Sequence, residues 1–83
     1  MSPNNYKEQQ KLLQELLQQM RRHAGISQTD LANRLGKPQS YVSKYESGER
    51  RLDLIELRHI CKTLGLSLTE FVRKFESSIN DTK

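Results

Sequence analysis

The stretch Ser27–Gly48, S-Q-T-D-L-A-N-R-L-G-K-P-Q-S-Y-V-S-K-Y-E-S-G, decides how the rest of the chain is read. Ser27 is a good helix N-cap, and Asp30 three residues later completes a capping-box signature. Leu31, Ala32 and Leu35 then repeat at helical spacing, so a short amphipathic helix follows the cap. Gly36 stops it, because glycine enters the left-handed backbone region at little steric cost. Pro38 suits the first turn of a next helix, where its missing N–H is not needed. Val42 and Tyr45 form a narrow apolar face on that helix, expected over 39–46. Its other face carries Gln39, Ser40, Ser43 and Lys44, and Gly48 closes the unit.

Two helices crossing at a short glycine-containing turn make a helix-turn-helix. The residues resemble the Cro/phage-repressor (Xre-like) DNA-binding family in three places: Ser27-Gln28-Thr29-Asp30-Leu31-Ala32, Leu35-Gly36, and Val42-Ser43-Lys44-Tyr45-Glu46-Ser47-Gly48. A looser likeness extends from about Met20 to Phe75. The resemblance implies a compact all-α, lambda-repressor-like domain of five helices whose third helix enters the DNA major groove. A helix of eight residues is about 12 Å long, and the groove is about 12 Å wide.

Carried over position by position, the resemblance implies base contacts from Gln39, Ser40, Ser43 and Lys44. Glutamine can pair with adenine and lysine with guanine O6 and N7, and serine can serve several bases. It implies phosphate contacts from Gln28, after the second helix's cap, and from Arg50 and Arg51, in the loop laid along the same strand. Lys37 is a poor N-cap, so the first N–H groups of the third helix are left to water or to a phosphate. Three uses are open to Tyr41: its ring on a thymine methyl, its hydroxyl on a phosphate, or plain packing at the core edge. We place Lys37 and Tyr41 with the phosphate contacts. Glu46 would repel DNA if left free; the resemblance implies an ion pair with Arg21 of the first helix, with Arg22 as the neighbouring alternative. Pro38 departs from the family pattern, since a short polar residue often starts the recognition helix.

The stretch sits inside an 83-residue chain of net charge +4. The positive excess lies in residues 1–52, at +2 for 1–24 and +2 for 25–52, whereas 53–83 is neutral. A basic half suits a polyanion, although charge alone would not identify one. The length bounds the protein to a single domain with a modest core. A first helix is expected from about Asn5 or Tyr6 to Ala24, with Leu12, Leu13, Leu16, Leu17 and Met20 inward and the glutamines largely outward. Gly25-Ile26 reads as a Schellman ending. Asp53 opens a fourth helix to about Leu64, with Leu54, Leu57, Ile60, Cys61 and Leu64 as its buried stripe. Ser67-Leu68-Thr69-Glu70 is a second capping box, opening a fifth helix to roughly Ser78. Residues 1–4 and 80–83 are expected to be disordered, flanking a domain over 5–79.

Other function classes find little support. His23 and His59 are solitary, so no metal site is expected. Cys61 falls on a buried stripe, where a thiol is a small hydrophobe. No phosphate-binding glycine loop or nucleophile elbow occurs, and we expect no enzyme activity and no cofactor. No apolar run approaches the roughly 18–20 residues that cross a bilayer, and from the polar residues 1–10 no signal peptide is expected. A cytoplasmic transcriptional regulator, a repressor acting on double-stranded DNA, is therefore expected. An antitoxin-type regulator that also holds a toxin, and a helical interaction module without DNA binding, are the rivals. One recognition helix reads few base pairs, so a homodimer on a palindromic operator is expected. Phe71, Val72, Phe75 and Ile79 on the fifth helix are its expected interface. Phe71 and Val72 could be consumed by the domain's own core, Phe75 and Ile79 could fold back on the first helix, and the long first helix is a second candidate surface.

Overall fold

The computed structural model describes residues 5–81; the side chain of Asp81 is outside the description. The expected disorder of residues 1–4 and of 82–83 lies outside the described residues. Five helices follow one another: α1 (Tyr6–His23), α2 (Gln28–Leu35), α3 (Ser40–Ser47), α4 (Leu54–Thr63) and α5 (Leu68–Asp81), with no strand among the described residues.

Local chemistry sets the boundaries. The Asn5 side chain accepts from the Glu8 N–H at 2.8 Å and starts α1. Ser27 does the same for α2 through the Asp30 N–H at 3.0 Å, but Asp30 does not reach back to complete a box. Its carboxylate pairs instead with Arg34, 3.3 Å away on the next turn. Full reciprocal boxes form at Asp53/Glu56 and at Ser67/Glu70. At the end of α1 the Ile26 N–H donates to the Arg21 carbonyl and the Gly25 N–H to Arg22, the paired bonds of a Schellman motif. At the end of α2, Lys37 donates to Ala32 and Gly36 to Asn33. Gly36 has φ +68°, so a side chain there would be strained.

Each helix leans its apolar stripe on one core of Leu17, Leu31, Ala32, Leu35, Tyr41, Val42, Tyr45, Ile60, Cys61 and Phe71. Helix α3 packs between α2 and α1, α4 rests on α2, and α5 closes the other side against α4 and α1. Burying a side chain such as Leu17 or Phe71 contributes about 1.5–3 kcal/mol.

Three expectations need correction. Leu54 belongs to the apolar stripe of α4 by spacing, yet it is exposed along with Ile55. The first turn of α4 overhangs the core, and burial is complete only at Ile60 and Cys61. Phe71 is a core residue and so is unavailable to a dimer; Val72 is exposed, and Phe75 and Ile79 are half-buried. Asn80 and Asp81, expected in a disordered tail, continue α5 beyond Ser78.

Candidate nucleic-acid interface

Helix α3 divides cleanly by helical phase. Tyr41, Val42 and Tyr45 are buried, and they turn Ser40, Ser43, Lys44 and Ser47 outward. The helix starts at Ser40, so Gln39 stands one residue outside it, at the N-cap, with a helical backbone and no side-chain acceptor for the first N–H groups. The Gln39 amide donates to Thr29 Oγ1 at 3.0 Å, tying the start of α3 to the start of α2. Between them lies an open polar cleft of about 470 Å³, lined by Gln28, Thr29, Gln39, Ser40 and Ser43. Of the four expected base-reading residues, three line this cleft; Lys44 is exposed one turn further along α3. Ser43 Oγ donates to the Ser40 carbonyl at 3.0 Å, leaving its lone pairs available to an incoming donor.

Glu46 is held away from that face. Arg21 Nε donates to Glu46 Oε2 at 2.8 Å, and Nη2 to Oε1 at 3.2 Å. The third guanidinium nitrogen, Nη1, donates to the Ile26 carbonyl at 2.8 Å. Gln28 Nε2 donates to Glu46 Oε1 at 2.9 Å. The acid of α3 is thus neutralised inward, and the hydrogen-bonded carboxylate raises the Arg21 pKa further against the opposing effect of burial. Gln28, expected at a phosphate, spends one amide N–H on this carboxylate. Its position next to the acid made that bond available, and it lines the cleft with the rest of its side chain.

The expected phosphate contacts separate into distinct environments. Tyr41 is buried, its ring set edge-on to Tyr45 with centroids 5.6 Å apart. Its hydroxyl lies 3.4 Å from Glu56, and burial followed by that carboxylate's charge pushes its pKa up. The Tyr41 ring therefore packs on the core, because it shares a helical face with Tyr45 four residues on. Lys37 is exposed, with Nζ 5.4 Å from the Tyr41 centroid. Arg50 is no free loop cation: Nη2 lies 2.7 Å from Glu56 Oε2, and its guanidinium lies 4.8 Å from the Tyr41 ring centroid. Arg51 points elsewhere, onto Tyr6 at the start of α1, 5.0 Å from the ring centroid, with a hydrogen bond from Nη1 to the Tyr6 hydroxyl.

Sequence reasoning missed Thr29, Glu56 and Tyr6. Glu56 carried a signal, since Asp53-Leu54-Ile55-Glu56 is itself a capping-box pattern. Tyr6 carried none, being 45 residues from Arg51. Among the described residues no group of three or more His, Cys, Asp or Glu could hold a metal. Cys61 is buried, and burial pushes its thiol up to about 11. No described helix is long and apolar enough to cross a membrane.

A helix-turn-helix family model matches residues 17–71, most of the chain. Among solved structures, an XRE-family like protein from Pseudomonas syringae pv. tomato superposes with a TM-score of 0.82 at 43% identity, over 87% of this chain and 88% of that one. The wild-type restriction-modification controller protein C.Esp1396I superposes with a TM-score of 0.79 at 25% identity, over 88% and 95%. The clp gene regulator ClgR from Corynebacterium glutamicum shares the fold at 22% identity and a TM-score of 0.74, over 86% and 91%. No curated protein matches the sequence. With its cleft at the paired starts of α2 and α3, and a match spanning the whole helix-turn-helix, the chain belongs to the Xre-like helix-turn-helix family of DNA-binding transcription regulators.

Proposed function

We propose that the chain is a cytoplasmic, sequence-specific repressor that binds double-stranded DNA as a homodimer, with α3 in the major groove. The observation that carries this reading is the outer face of α3. Ser40, Ser43 and Lys44 lie beside the polar cleft, and the helix's acid, Glu46, is bound inward to Arg21. Such a face offers donors and acceptors to base edges without an exposed carboxylate to repel phosphate. Lys44 reads guanine in this arrangement, and Ser40 and Ser43 serve the neighbouring bases. Gln39 reaches a base by exchanging its bond to Thr29, and Gln28 meets phosphate through the second N–H of its amide, the first being held by Glu46. Lys37 and Arg51 supply phosphate contacts, and occupancy of the operator excludes other proteins from it.

A homodimer is supported by the limited information that one short helix reads. Phe71 being consumed by the core, the dimer surface narrows to Val72, Phe75 and Ile79, which follow one stripe along α5. Relatives in this family with regulatory names, such as the C.Esp1396I controller, are in keeping with the role.

Selection of sites from random DNA tests the reading. The wild type should enrich two inverted half-sites spaced by about one helical turn or a multiple of it. Lys44→Ala should bind the selected site about 1–3 kcal/mol more weakly and lose preference at one position of each half-site. Failure to enrich any consensus, or an affinity for DNA indifferent to salt, would assign the surface to a protein partner instead.

A further inference from the structure

The two arginines of the loop between α3 and α4 differ in what holds them. Arg50 is paired with the Glu56 carboxylate, so its charge is largely compensated. Arg51 is exposed, and among the described residues the partners of its side chain are the ring and hydroxyl of Tyr6, which carry no charge, and no carboxylate. Tyr6 is the first residue of α1, 63% exposed, and its place is set by the Asn5 cap. Two turns further along α1, Gln14 lies against the same loop at Gly48: a Cβ there would stand 2.6 Å from Gln14 Nε2. Gly48 has φ +88°, so the loop leaves α3 by a backbone that a side chain would both strain and obstruct. The leading half of α1 therefore braces the loop at two points, one on its backbone and one on Arg51.

We propose that Tyr6 is a positioning residue for DNA binding: it holds the Arg51 guanidinium, uncompensated and partly immobilised, for a backbone phosphate. This rests on the DNA-binding function proposed above. Arginine has five N–H donors, and with the Tyr6 hydroxyl taking one of them and the ring centroid 5.0 Å away, the remaining donors are left for a phosphate. Because the ring is neutral, the full charge stays available to displace a counterion, which an arginine bound to a carboxylate cannot do. Because the side chain is already held, less conformational entropy is lost when phosphate arrives. The turns that lengthen α1 beyond the helix-turn-helix match acquire a role in this way, since the matched region begins at residue 17 and Tyr6 precedes it.

The test is titration of the selected operator at several salt concentrations with wild type, Arg51→Ala, Tyr6→Ala, Tyr6→Phe and the Tyr6→Ala/Arg51→Ala double variant. Circular dichroism reports that α1 is intact in each. Arg51→Ala should reduce the magnitude of the log K against log salt slope by about 1. Tyr6→Ala should weaken binding about two- to fivefold, the range of an exposed cation–π contact, and should have no effect once Arg51 is gone. Tyr6→Phe keeps the ring and should recover most of the loss. Wild-type affinity in Tyr6→Ala, or an equal loss with and without Arg51, overturns the positioning role while leaving DNA binding standing. An unchanged salt slope in Arg51→Ala overturns it by removing the phosphate. A wild type that binds no DNA overturns the functional reading with it.

Discussion

Two arginine–glutamate pairs lie beside α3, one made by its own Glu46 and one set against its Tyr41 ring. Arg21–Glu46 joins α1 to the end of α3 with side chains 9% and 2% exposed. Arg50–Glu56 joins the following loop to α4 with side chains 39% and 23% exposed. The inner pair is wrapped: the Ile26 carbonyl and the Gln28 amide satisfy what the ions leave over. The outer pair borrows its order from neighbours that are ordered anyway, the Tyr41 ring and the capping box in which Glu56 accepts from the Asp53 N–H at 2.9 Å. The same two residue types thus do different work. Inside, the pair sets where α3 sits and keeps an acid off the helix's outer face; outside, it steadies a loop.

Removing one partner should expose that difference. Glu46→Ala strands Arg21 in a nearly closed site, and breaking a buried pair in this manner costs about 3–5 kcal/mol. Denaturant unfolding of Glu46→Ala, Arg21→Ala and the double variant should show strong coupling between the two. Additive losses would make the inner pair no different from the outer one. Arg50→Ala should cost only about 0–1 kcal/mol, as pairs open to water do. It should also leave the salt slope of DNA binding nearly unaltered, since its charge is already met by Glu56. A slope reduced as much as in Arg51→Ala would erase the distinction between the two loop arginines.

The smallest effect is an acid-side pH dependence carried by the outer pair and the caps. The Arg50 guanidinium, with help from the Asp53 N–H, holds the Glu56 carboxyl at about 2, below its ordinary 4.5. A depressed carboxyl stabilises the folded state above its unfolded value and loses that contribution as pH falls toward the folded one. Stability should therefore decline between about pH 4.5 and 2, and Glu56→Gln should flatten the decline without abolishing it. Glu70, lowered by its bonds to Ser67, titrates in the same direction. Chemical unfolding at stepped pH measures this, and an acid limb identical in Glu56→Gln would break the assignment.

Much of the molecule was legible because its determinants are local. Ser27, Asp53 and Ser67 announce helix starts through side chains of the right reach, and Gly36 announces a stop through the backbone it permits. Helical phase alone separates Val42 and Tyr45 from Ser43 and Lys44. What stayed hidden depends on where a helix ends against its neighbours. Leu54 has the spacing of a core residue but overhangs the core, and Phe71, open by spacing to core or interface, fills the core.

By itself the sequence determined five helices, their caps and the polar face of the third, since each of these is decided within a turn or two of chain. Only the tertiary structure decided which cations are compensated. Arg50 and Arg51 are adjacent and chemically identical, and one meets an acid six residues on while the other meets a tyrosine 45 residues back. Electrostatics acts through space, so the charge that DNA would encounter is a property of the packed helices and cannot be assigned along the chain.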